Sequence, residues 1–74
     1  MSKERKRSLV IAGHSTSVSL EEPFWEALRA IAAGQGCSVA ALVGEIDQQR
    51  ETINLSAALR LHALGHYRKL AEQD

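Results

Sequence analysis

His14–Leu20 reads HSTSVSL and runs directly into Glu21-Glu22-Pro23-Phe24-Trp25. The stretch alternates strictly. Thr16, Val18 and Leu20 fall on one face of an extended strand, and Ser15, Ser17 and Ser19 fall on the other. The first face suits a core, and the second is a row of small hydroxyls that donate and accept hydrogen bonds. A lone strand leaves its backbone groups unpaired, which is costly. The rest of the chain reads as helix and basic arm, so the simplest partner is the same strand of a second copy, giving an intermolecular two-stranded ribbon.

Upstream, Ser8–Ala12 (SLVIA) is a short apolar run with β-branched Val10 and Ile11, read as a strand. Its pairing is open. It can lead into the main strand with Gly13 as a bend or bulge, or fold back on it as a hairpin through Ala12-Gly13-His14-Ser15.

Downstream, a helix is expected from about Glu22. Pro23 fits its first turn, and Glu21, Glu22 and Glu26 favour the positive end of its dipole. Phe24, Leu28 and Ile31, with Ala27 and Ala32, form an apolar stripe. Trp25 lies to one side, at the flank of a subunit contact. Gly34 and Gly36 stop the helix.

Ser38 is the expected N-cap of a second helix, in which Val39, Leu42, Val43 and Ile46 share one face. Gly44 inside it costs about 1 kcal/mol relative to Ala and points to close approach by another backbone. Asp47–Glu51 is polar, either helix end or linker. Asn54 or Ser56 can cap a third helix to about Glu72, with Leu55, Leu59, His62, His66 and Leu70 along one stripe, Ala58 and Ala63 beside it, and Leu61 and Leu64 widening the arc. Three segments follow: a basic flexible arm (1–7), a strand and two helices (8–51), and a C-terminal helix packed on the domain or its partner (52–74).

The chain has 74 residues, so its own core is modest, and Cys37 is its only cysteine, which excludes an internal disulfide and fits a reducing compartment. No apolar run is long enough to span a bilayer, and Leu9–Ala12 is too short for a signal-peptide core. A cytoplasmic protein without a membrane partner is expected. The formal net charge of zero hides an asymmetry: four basic residues and one acid in the first seven, five basic residues and eight acids in the remainder. A basic arm on an acidic body suits an anionic partner, although a solvated terminus has the same composition.

Strand, helix, glycine turn and Ser-capped helix behind a basic arm resemble the ribbon-helix-helix DNA-binding family, over roughly Ser15–Asp47. The resemblance rests on S-V-S-L at Ser17–Leu20, the apolar helix Phe24–Ala33, and G-C-S-V-A-A-L-V at Gly36–Val43. The phrase from Lys6 to Ile46, with I-A-G-H at Ile11–His14 and F-W at Phe24-Trp25, is similar to a small bacterial subfamily of that class.

The resemblance implies a homodimer on double-stranded DNA, its ribbon in the major groove, which is wide enough to admit one. Ser15, Ser17 and Ser19 would then read bases. Lys3, Arg5, Lys6 and Arg7, with Ser38 and the amides of Val39 and Ala40, would contact phosphates. Val18, Leu20, Phe24, Leu28, Ile31, Leu42, Val43 and Ile46 would form the dimer core. The family's reading face usually carries a long polar or basic side chain, and this strand offers only serines. A solvated strand surface and an ordinary N-cap are the plain alternatives for the serines and for Ser38.

Other chemistry is thinly represented. His62 and His66 have a spacing that can place two imidazoles on one metal, yet no Cys or acid lies close, so packed histidines are expected, with no metal and no cofactor. Cys37 precedes a helix N-terminus but has no catalytic histidine partner in view, and no triad is arranged. The fold class expected is mainly α with one β-ribbon, a ribbon-helix-helix homodimer plus an additional C-terminal helix. The function expected is transcriptional regulation by a non-enzyme. The alternative is an antitoxin-like interaction module whose C-terminal helix binds a partner protein.

Overall fold

Ala12 and Gly13 turn the chain back on itself. The computed structural model describes residues 4–72, and in it Glu4–Ile11 (β1) and His14–Glu21 (β2) pair antiparallel as a hairpin. Both turn residues have positive φ, 52° at Ala12 and 83° at Gly13. That is the backbone sign of the two-residue turns whose twist matches paired strands. The strand that lacked a partner therefore has one in its own chain, and the expected ribbon is built from a single copy.

The register runs from Ile11 opposite His14 to Glu4 opposite Glu21. Residues directly opposite share a face. Leu9, Ile11, Val18 and Leu20 thus turn inward together, with Val18 and Leu20 buried and Leu9 and Ile11 packed on the core. Lys6, Ser8 and Val10 turn outward with Ser19, Ser17 and Ser15. Arg5, Lys6 and Arg7, expected in a flexible arm, are residues of β1. Lys3 lies outside the described residues.

Three helices follow. The first, α1, spans Glu22–Gln35 with Pro23 in its first turn. It ends at Gly36, whose φ of 75° lets the Gly36 and Cys37 amides donate to the Ala33 and Ala32 carbonyls. The second, α2, spans Val39–Gln49, and the Ser38 Oγ accepts from the Ala41 amide at 3.0 Å. The third, α3, spans Leu55–Ala71 and is capped by Asn54, whose side chain accepts from the Ala57 amide at 2.8 Å. Ser56, the other candidate cap, donates its hydroxyl to the Ser19 carbonyl at 2.8 Å, tying α3 to the outer edge of β2.

Leu20, Leu28, Leu42, Val43 and Leu59 are the largest fully buried side chains. They come from β2, α1, α2 and α3, so α3 belongs to the core through Ala58, Leu59 and Ala63. The residues expected in a dimer core are buried within one chain, with Phe24 only half-buried. Trp25, expected at a subunit flank, is 8% exposed and part of the core. Gly44 does receive a close approach, but from a side chain: a Cβ there would sit 3.1 Å from the Ile11 Cγ2. Leu70, placed on the inward stripe by the sequence, is exposed. Among the described residues no single helix is long and apolar enough to cross a membrane.

The left-handed backbone at Ala12 costs a residue with a Cβ roughly 1–2 kcal/mol, and Asn tolerates it better. Ala12→Asn should therefore raise the free energy of unfolding by about 1 kcal/mol in urea titrations. A lower stability in that variant would contradict the turn as described.

Candidate nucleic-acid interface

The outer face of the hairpin has four cross-strand rows: Val10 with Ser15, Ser8 with Ser17, Lys6 with Ser19, and Glu4 with Glu21 at the open end. Ser15 and Ser17 are exposed, while Ser19 is half-buried beside the N-terminus of α3. All three predicted reading serines therefore share one side, and β1 adds Lys6, Ser8 and Val10 beside them. The serines of β2 are thus only part of the face, and Lys6 supplies the long basic side chain that β2 lacks.

Arg7 turns inward. It pairs with Glu22, and its guanidinium lies over the Trp25 ring, 4.8 Å from the centroid. Charge and ring both attract it. Arg7 thereby ties β1 to the start of α1, and its expected phosphate role is taken up by this contact. Arg5 stands opposite Leu20 near the open end of the ribbon and is exposed.

The acids that follow the ribbon are also occupied. Glu4 and Glu21 are directly opposite across the strands. Like charges so placed repel. Arg60 of α3 reaches both, at 2.7 Å to Glu4 and 2.9 Å to Glu21. Its hydrogen bond is the main reason the Glu21 carboxyl is held below its ordinary value of 4.5, and the same bond raises Arg60. Three acids near the ribbon's open end are thus paired, Glu22 with Arg7, and Glu4 and Glu21 with the one charge of Arg60.

The N-terminus of α2 lies beside the turn end of β1, where Ser38, Ala40 and Ala41 line a groove with Val10, Ile11 and Ala12. The Ser38 hydroxyl serves the Ala41 amide, and the first helical bond runs from Leu42 to the Ser38 carbonyl. The Val39 and Ala40 amides belong to the first turn, where N–H groups have no helical acceptor. The fit of Ile11 against Gly44 sets how closely α2 approaches the ribbon. The α2 N-terminus and the outer face of the ribbon are thus held on one rigid body.

The remaining candidates do not converge. His62 and His66 are half-buried, His66 packs edge-on to Tyr67 at 5.2 Å, and among the described residues no group of three or more His, Cys, Asp and Glu could hold a metal. Cys37 has a free thiol packed against the core. Sequence reasoning missed the roles of Lys6, Val10, Arg7 and Arg60. The first two had a signal in the alternation of KRSLVI, which becomes legible once the Ala12-Gly13 turn fixes its register.

Residues 4–67 match the family model described as the ribbon-helix-helix domain, and the chain belongs to that family. It is in general a family of DNA-binding regulators, a non-enzymatic fold whose members typically form dimers. Comparison with curated proteins and comparison with solved structures each returned no match.

Because the folded Glu21 pKa is lowered, its stabilising effect is fully present above 4.5 and is lost as pH falls through the lowered value. Arg60→Ala removes that effect and leaves Glu21 opposite Glu4. The gap in melting temperature between wild type and this variant should therefore shrink as pH falls from neutral to about pH 3. A gap that stays constant across that range would contradict the linkage.

Proposed function

We propose that this protein is a DNA-binding transcriptional regulator that lays the outer face of its hairpin in the major groove. One observation carries the reading: a serine-rich ribbon face bearing Lys6 and the first-turn amides of a helix N-terminus sit on the same rigid body. The ribbon fits the groove, and helix amides favour phosphate. In this reading Ser15, Ser17 and Ser19 meet base edges. Arg5, the Val39 and Ala40 amides behind Ser38, and Lys3 meet phosphates. DNA binding places the protein with the chromosome, in the cytoplasm of a bacterial cell.

The family's dimeric habit extends the reading to a homodimer. Each chain pairs β1 with β2 by itself, so a dimer does not need a strand from its partner to complete the ribbon. Leu61, Leu64 and Tyr67 on the outer side of α3 are exposed and apolar. The same side chains favour the second reading, a module that docks a partner protein through α3. Light scattering of the purified chain, with copurification from its host, separates the two. A dimer lost in Leu61→Glu supports the first, and a stoichiometric foreign partner supports the second.

The test of DNA binding is a titration of wild type and Arg5→Ala on a genomic target at several salt concentrations. Each phosphate contact contributes about −0.9 to the slope of log affinity against log salt, so Arg5→Ala should flatten it by about that amount. Ser15→Ala and Ser17→Ala should instead erode preference for the specific site, at the low end of the roughly 1–3 kcal/mol of a good base contact. If wild type shows no salt-dependent binding to any target, the interaction-module reading takes its place.

A further inference from the structure

Val10 is 64% exposed, the most exposed large apolar side chain among the described residues. It stands on a face that also carries four serines, Lys6 and, at the open end, the Glu4 and Glu21 pair bridged by Arg60. Two identical strands paired across a twofold axis would present every residue twice and match a palindrome. This ribbon does not, because its two strands differ. From the turn end its rows are Val10 beside Ser15, Ser8 beside Ser17, Lys6 beside Ser19, and Glu4 beside Glu21 at the open end.

We propose that each chain is a complete and asymmetric reading head, with Val10 recognising a thymine methyl group and Lys6 a guanine. The inference rests on the DNA-binding function proposed above and specifies its target. An apolar side chain in the major groove matches the methyl that marks thymine, and a lysine matches the paired acceptors O6 and N7 of guanine. Residues advance about 3.3 Å each along a strand, so Val10 and Lys6 stand roughly 13 Å apart. At about 3.4 Å per base pair that is roughly four base pairs. The target is a short non-palindromic element with thymine at one end and guanine at the other, occupied by one chain. A dimer would occupy two such elements.

The experiment is a selection by the full chain from fully randomised duplexes, with wild type, Val10→Ala and Lys6→Ala. Both side chains are exposed, and circular dichroism verifies that the variants fold. Wild type should enrich an asymmetric element with thymine and guanine about four base pairs apart. Val10→Ala should lose the preference at the thymine alone, and Lys6→Ala at the guanine alone. Replacing that thymine by uracil removes one methyl and should weaken wild type about fourfold, the effect of one buried carbon, while leaving Val10→Ala unchanged. Equal weakening of both proteins, or a requirement for two chains on a single element, would overturn the asymmetric reading head while leaving DNA binding intact. A failure to enrich any duplex would overturn the DNA-binding function as well.

Discussion

The chain reversal at Ala12-Gly13 sets everything downstream of it. A two-residue turn fixes the register of the strands it joins, and side chains alternate faces with a period of two. With Ile11 opposite His14, Leu9, Ile11, Val18 and Leu20 turn inward together and become the layer on which α1, α2 and α3 pack. Lys6, Ser8, Val10 and the three serines are left on the other side. A slip of one residue in β2 would send its serines to the core and Val18 and Leu20 to solvent. The core and the proposed DNA surface are two consequences of one register.

The arginines then decide which charges remain for a partner. Arg7 is held by Glu22 and Trp25, Arg50 by Asp47 and the Ile53 carbonyl, and Arg60 by Glu4 and Glu21. Each joins segments distant in sequence or closes a loop. Their acids are thereby paired, with Arg60 shared between Glu4 and Glu21, close to the ribbon, where free carboxylates would repel a phosphate backbone. Arg5 and Lys6 make no ion pair among the described residues and stand at the ribbon's open end. A chain with no net charge can thus present a locally basic surface.

Much of this was legible in the sequence, and the limits have physical causes. The HSTSVSL alternation gave the faces of β2, Pro23 and Gly36 bracketed α1, and Ser38 and Asn54 capped the next helices. These are local signals, set by backbone geometry within a few residues. The source of the ribbon's second strand was not local. An Ala-Gly pair is a weaker turn signal than Asn-Gly, and SLVIA reads equally as a lead-in strand. Without that pairing, Lys6 and Arg7 looked alike as arm residues, although one faces out and the other covers Trp25. Arg60 was unreadable for the same reason, because it lies 39 residues from Glu21 and 56 from Glu4. Leu61 and Leu64 broadened the apolar arc of α3 without showing which side packs inward.

Ribbon pairing within one chain completes the ribbon without a strand from a second copy. It also makes the reading surface a property of one polypeptide. The most direct test is an isotope-filtered nuclear Overhauser measurement on a mixed sample of labelled and unlabelled chains, reading the contacts of Leu9 with Thr16 and of Arg7 with Val18. Cross-strand contacts confined to single chains are expected. Contacts passing between labelled and unlabelled chains would show an intermolecular ribbon and contradict the account.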